Sequence, residues 1–305
     1  MPTSELQNYF KNELKPILER LDKQRKWVFR LTLLTILIVT SLILTWGYLP
    51  NQIRFGAILA TIIIIMVVLS IYPKYRHKFR SEVVSRVISQ VSEDFKYYPG
   101  EGISLNAFIQ SGLYEMEPNK LNSNDYTEGR AGGIRFEFAS VNARKLRPGL
   151  NGPAKNVSVF SGVFLHIELF HELYNQIYIV PNRSSLILGT WSQKNRFMGR
   201  GYLINTGHVT FDSLFAVYTY REDHPQLILD KSLLDALVGL SQRFGQEISV
   251  SFLNSGCYFS MTGGRELFNP RLIKSVVRFE DIQNIYNLIE AMPEIVTSLS
   301  KAVEE

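Results

Sequence analysis

From Leu31 to Ile53 the chain carries no charged side chain, and from Phe55 to Pro73 it again carries none. The second run is 19 residues long. As a helix it reaches ~28 Å, about the thickness of a bilayer's hydrocarbon core. Its stretch ATIIIIMVVLSI has no wetted face, unlike a helix on a soluble core. Between the runs lies WGYLPNQIRFG, Trp46–Gly56, with Arg54 as its one charge. Pro50 and the Asn51–Gln52 pair suit a tight turn there. The pattern predicts a transmembrane helical hairpin with spans at 31–49 and 55–73. A cleaved leader is not expected: the first 30 residues carry Glu13, Glu19 and Asp22, and no small-x-small site ends the first run.

The flanks show helical spacing too. Leu6, Phe10, Leu14, Ile17 and Leu21 recur at three and four residues, which makes 1–30 an amphipathic basic helix, with a kink expected at Pro16. Beyond the second span, Val83, Val87, Val91 and Phe95 repeat at four, with Val84 and Ile88 beside them. This predicts a stalk helix over 74–98 that stops at YYPG. The two apolar stripes either pair antiparallel beneath the bilayer or lie on the soluble domain or on lipid.

After Gly102 the texture changes. ISLNAFIQSGLY predicts a short helix stopped by Gly112. GGIRFEFASVNARK alternates Ile134, Phe136 and Phe138 against Arg135 and Glu137, and NVSVFSGVFLHIEL, NQIYIVP, SLFAVYTY and QLILD follow as strand candidates. KSLLDALVGLSQRFG reads as a helix capped at Gly245, ISVSFLNSGCYFSM as a hairpin turning at Asn254–Gly256, and the chain closes on a helix striped by Ile282, Ile285, Ile289 and Met292, with Pro293 as a kink or a new first turn. Strands in runs with short links predict a largely antiparallel sheet with flanking helices, so the expected fold class is α+β, with one such domain at 99–305.

Charge orients the chain. The 15 residues before Leu31 carry five Lys/Arg, as do the 15 after Pro73. Basic flanks stay on the cytoplasmic side, so both termini and the 99–305 domain are expected in the cytoplasm of a bacterial inner membrane, with the Pro50 turn outside. Residues 1–88 hold 13 Lys/Arg against 5 Asp/Glu; the remainder hold 20 against 23. The basicity therefore belongs to the membrane flanks, where it attracts anionic lipid, and nucleic acid is not an expected partner. A single cysteine, Cys257, excludes an internal disulfide and fits a reducing compartment.

The layout of basic helix, two-span hairpin, basic stalk and β-rich domain, with YYPGEGISLNAFIQSGLY, FSGVFLHIEL, FAVYTYRED and VSFLNSGCYFSM in that order, resembles the bacterial membrane proteins catalogued as domain of unknown function family 3137. Where that family usually carries Glu-Ala after an acidic pair, Pro225 and Gln226 stand here. The resemblance implies no activity, cofactor or substrate. It does imply an association with LemA-like membrane proteins, so the expected partners are membrane lipids and an unknown protein, either LemA-like or a second copy of the chain.

Candidate chemistry is sparse. HIELFHE holds His166, Glu168, His171 and Glu172, and His208 or His224 would have to complete a zinc site. The competing reading has His166 half-buried on a strand and His171 solvated. Ser161 lacks a nucleophile elbow, and Cys257 sits in an apolar hairpin. GTWSQKNRFMGRG offers Lys194, Arg196 and Arg200 for an anion or a lipid headgroup, or is a plain surface loop. No residue set supports a catalytic or cofactor-binding assignment. The expected function is a membrane-anchored interaction domain binding a protein partner or lipid headgroups; the rival is a membrane-anchored, metal-assisted hydrolase using His166, His171 and His208.

Overall fold

The structure is a computed structural model; it describes residues 3–48, 50–148, 154–170, 173, 175–182, 201–220, 229–254, 256–264 and 268–304. Contacts group the chain into two units, Met1–Val91 with Glu266–Asn287, and Ser92–Arg265 with Leu288–Glu305.

The first unit is built on two helices, α1 (Thr3–Thr45) and α2 (Asn51–Val91). Both are long and apolar enough to cross a membrane, and only 6 % of each apolar window is buried within the protein. Such surface is stable only against lipid or another apolar partner. The hydroxyls inside these stretches bond their own helix: Thr32, Thr35, Thr40, Thr45 and Thr61 each donate to the carbonyl four residues back. These five hydroxyls therefore need no water. The turn sits where the polar break lies, with Pro50 extended at ψ 147° before α2 and the Arg54 guanidinium 5.3 Å from the Trp46 ring centre.

Pro16 does not interrupt α1. A π-turn at Phe10–Leu14 precedes it, in which the Lys15 N–H reaches back to the Phe10 carbonyl. The wider turn loosens the hydrogen-bond ladder just where proline can neither donate nor fit closely. A second π-turn, Arg80–Val84, lies in α2. The two apolar stripes pair antiparallel. Leu6, Leu14, Leu18 and Leu21 of α1 and Val83, Val84, Val87 and Ile88 of α2 are all buried, and Arg20–Glu82, Arg86–Glu13 and Tyr9–Arg86 contacts run along the seam.

Residues 268–278 add a polar latch to this unit. Asp22, nearly buried, accepts from Arg25 Nε at 2.7 Å, Lys26 Nζ at 3.0 Å and Ser275 Oγ at 3.0 Å. Arg25 Nη1 donates to the Leu272 and Ile273 carbonyls at 2.8 and 3.0 Å. Arg76 and Arg80 each donate to the Asn269 side-chain oxygen at 2.9 Å. Burial alone would raise the Asp22 carboxyl, but the hydrogen bonds from Arg25, Lys26 and Ser275 and the Arg25 charge bring it down to about 2.

The second unit holds a sheet whose described strands run in the order β1-β2-β3-β4-β9-β8-β5-β7-β6, every pair antiparallel. They are β1 (Lys96–Tyr98), β2 (Lys120–Ala131), β3 (Ile134–Arg147), β4 (Lys155–Glu168), β5 (Ile177–Pro181), β6 (Tyr202–Ile204), β7 (Phe215–Thr219), β8 (Ile248–Leu253) and β9 (Gly256–Thr262). The helices are α3 (Leu105–Gln110), α4 (Val209–Leu214), α5 (Lys231–Phe244) and α6 (Phe279–Glu304), the last shared between the units. The α+β class and the hairpin turning at Asn254 (φ 52°) are as expected. Gly245 caps α5 in the left-handed region at φ 59°. Of QLILD, Gln226–Ile228 lies outside the described residues, and Asp230 is no strand residue but the α5 cap, its carboxylate accepting from the Ser232 and Leu233 N–H groups.

The sheet's two faces differ. One is aliphatic and aromatic to the core, with Phe136, Phe138, Leu165, Ile167, Phe259, Val250, Phe252, Ile177 and Ile179 at 0–1 % exposure. The other, covered in part by α3, mixes a small core around Phe108, Val141, Phe160 and Phe164 with polar positions. The second face carries the candidate site.

Candidate functional site

Two β-bulges shape this face. On β2 the register steps between Asn124 and Thr127, and Asp125 there is left-handed at φ 61°. Its carboxylate is fully buried and accepts from the Tyr97 and Ser140 hydroxyls, both at 2.8 Å. The bulge turns Tyr126 so that its hydroxyl donates to Glu137 Oε2 at 2.5 Å. Glu137 Oε1 lies 3.1 Å from His166 Nδ1. Glu137 and His166 are directly opposite across β3 and β4, and His166 is opposite Tyr258 of β9. The imidazole stacks on the Tyr258 ring, 4.7 Å between centres and 13° between planes.

Electrostatics follow from this packing. The hydrogen bond from His166 lowers the Glu137 carboxyl; burial opposes it, and the Tyr126 hydrogen bond adds to the lowering. Burial pushes the Tyr126 phenol up, reinforced by Glu137, and burial likewise raises Tyr258. Glu137 is thus held as a carboxylate among neutral phenols. A carboxylate on Nδ1 orients an imidazole as in acid–base dyads. Among the described residues, however, Glu137 is the one hydrogen-bond partner of His166, so no nucleophile is aligned with it.

Of the other sequence candidates, the described ones, His208, Ser161 and Cys257, do not join this cluster. His208 is the cap of α4: its Nδ1 accepts from the Phe211 N–H at 3.1 Å, and Nε2 meets Asp235 at 2.8 Å. Strands β9, β8 and β5 lie between β4 and β7, the strand that follows His208. Four strand spacings are ~19 Å, far beyond the ~2 Å reach of shared zinc ligation. Among the described residues no group of three metal-type ligands converges. His171 and Glu172, His224, and the cations Lys194, Arg196 and Arg200 lie outside the described residues. Ser161 is met by the Asn142 amide at 3.5 Å. Cys257 is fully buried, and burial drives its thiol well above the ordinary range.

The second bulge lies on β4, where Ala143 pairs with Phe160 and Arg144 with Ser158, leaving Val159 as the extra residue. Ser158, Val159 and Phe160 therefore all line one pocket of about 350 Å³, together with Leu113–Met116, Val180, Pro181, Glu247, Ser249, Ser260 and Thr262. Tyr114 stacks on Phe108 at 5.2 Å, and its hydroxyl donates to Ser260 at 2.9 Å. The pocket has an apolar wall, a floor of hydroxyls, and two carboxylates, Glu115 and Glu247, and among the described residues no cation lines it. The expectations from sequence gave Glu137 no site role and did not include this pocket. The alternation in IRFEFAS placed Glu137 opposite the phenylalanines, but its meeting with His166 depends on inter-strand register.

The family described as "Protein of unknown function (DUF3137)" matches the chain over residues 158–301. No curated protein matches. Among solved structures, the mycobacterial trehalose monomycolate transport factor A, TtfA, aligns with a TM-score of 0.35 and 8 % identity, over 69 % of this chain and 95 % of that one. That likeness carries no argument about function.

Proposed function

Because residues 158–301 match the family of unknown function DUF3137, whose description supplies no chemistry, we propose from the geometry that the protein is a membrane-anchored binding module. Helices α1 and α2 hold it in a bacterial inner membrane, with both termini and the sheet unit in the cytoplasm. The sheet face binds an extended segment of a partner protein. The observation that carries this reading is the pocket at Val159, with its apolar wall and the Glu115 carboxylate at its lining. It suits an apolar side chain followed or preceded by Lys or Arg. Both a LemA-like protein and a second copy of this chain remain within that description.

The experiment places a photo-crosslinking residue at Val159 of the full chain in native membranes. A discrete adduct is expected, lost when Glu115 is changed to Lys. An adduct that survives that charge reversal, or none at all, refutes the reading. One observation favours the hydrolase alternative, the Glu137–His166 pair; His166→Gln should abolish any hydrolytic turnover of the purified chain if that reading is right, and leave the crosslink intact if the binding reading is right.

A further inference from the structure

Where α1 and α2 leave their apolar stretches, the two helices form a groove of about 450 Å³ lined by Lys23, Gln24, Trp27, Ile71, Lys74 and Lys78 over the buried Tyr75. Its chemistry is graded along the helix axes. Trp27 stands one turn nearer the first apolar run than Lys23, and Ile71 stands three residues nearer the second than Lys74. Cations therefore sit at the end away from the spans, and apolar and aromatic groups at the end next to them. Trp27 is half exposed at 52 %.

The cations of this region divide into two sets. Three arginines turn inward: Arg25 onto Asp22 and two carbonyls, Arg76 and Arg80 onto Asn269. The lysines of the groove are exposed, and among the described residues none of the three forms an ion pair. The nearby carboxylate, Asp22, is already taken by Arg25, Lys26 and Ser275, and among the described residues no carboxylate lines the groove. Three unneutralised ammonium groups converge on one opening beside a Trp at the level where phospholipid phosphates lie.

We infer that this groove is a site for the headgroup of an anionic phospholipid, with Lys23, Lys74 and Lys78 on the phosphate, Gln24 as a neutral donor, and Trp27 and Ile71 against the start of the acyl chains. The inference rests on the membrane reading of α1 and α2 but not on the pocket at Val159. It differs from diffuse attraction of a basic flank because it names three lysines and leaves out Arg30, which is exposed and nearer the span yet does not line the groove.

The test uses the full chain with Trp46→Phe and Trp191→Phe, so that Trp27 alone reports. The protein is reconstituted in phosphatidylcholine vesicles containing a minor fraction of brominated phosphatidylglycerol or, separately, brominated phosphatidylcholine. Phosphatidylglycerol should quench Trp27 preferentially, each lysine contributing about five-fold to the relative association constant. Lys23→Gln/Lys74→Gln/Lys78→Gln should bring the preference to about one, while Arg30→Gln leaves it in place, and excess inorganic phosphate should not displace the lipid. Equal loss in Arg30→Gln, displacement by free phosphate, or no preference in the parent each overturns the site. A chain that does not float with the vesicles overturns the membrane reading and the site together; one that floats and shows no preference overturns the site alone.

Discussion

Asp22→Asn removes a carboxylate that four donors hold: Arg25 Nε at 2.7 Å, Lys26 Nζ at 3.0 Å, Ser275 Oγ at 3.0 Å and the Val276 N–H at 3.4 Å. Its carboxyl drops from 3.8 to about 2 on folding, and at 1.36 kcal/mol per pH unit this is worth ~2.4 kcal/mol. Its side chain is 7 % exposed, as is that of Arg25, so solvent screening removes little. The asparagine also leaves the Arg25 guanidinium without its counter-charge, which elsewhere costs ~3–5 kcal/mol. Here the Leu272 and Ile273 carbonyls retain part of the solvation, so the lower figure is the expected one. Hydrogen exchange on the full chain in detergent reads it directly. Amides at Val276 and Val277 should exchange about 60-fold faster in the variant at pH 7. Because the folded pKa is depressed, the contribution is fully present above about pH 4 and fades as pH falls through about 2; roughly half remains at pH 3. Thermal melts of parent and variant should therefore converge in acid. Adding Arg25→Met should recover part of the loss, since no buried charge is then left unpaired. An exchange difference below about five-fold, or a gap that widens in acid, refutes the electrostatic account of the latch.

Three further outcomes are expected. Gly162→Ala would place a Cβ 2.0 Å from the Met261 carbonyl oxygen, and since that backbone belongs to the paired strand β9 the variant should lose ~3 kcal/mol or more in chemical denaturation; a neutral result would mean the β4–β9 pairing is misplaced. Glu137→Gln should cost about 1–2 kcal/mol at pH 7 and flatten acid unfolding below about pH 4.5, because the lowered Glu137 carboxyl stabilises above its ordinary pKa and loses that contribution as pH falls through the folded one; parallel pH profiles would exclude it. In a Cys257→Ser background, Asn51→Cys should react with an impermeant maleimide on intact spheroplasts and Glu93→Cys only after lysis; the reverse pattern would put the sheet unit outside the cytoplasm.

The parts legible in the sequence are those whose cause is local. Two charge-free runs around Pro50 announce helices α1 and α2, since only a long apolar element has that composition. Strands β3, β4 and β9 announce themselves by period-two alternation. Strand β2 does not: KLNSNDYTEGRA has no apolar face, and it is a strand because β1 and β3 pair with it and because Asp125 anchors its bulge. Strand β1 was hidden at the end of a helical stripe: α2 stops at Val91, and Lys96–Tyr98 pair with Tyr126–Glu128. Residues 268–278 carry no periodic signal at all; their role arises from hydrogen bonds to Asp22, Arg25, Arg76 and Arg80 across about 190–250 positions of sequence. His166 was readable as a half-buried strand residue, but its partners Glu137 and Tyr258 were not, because a one-residue change of register would exchange them for apolar neighbours.

The described sheet begins and ends with three-residue strands, Lys96–Tyr98 and Tyr202–Ile204. Each of these terminal strands therefore offers ~10 Å of backbone to an incoming strand. Tethering to a bilayer confines molecules to two dimensions and multiplies their encounters, the condition under which long open borders would zip into fibres. Borders this short limit such growth to a couple of hydrogen bonds. They also make strand addition at these two terminal strands a weak contact, which favours a partner that reads side chains on the sheet's broad surface.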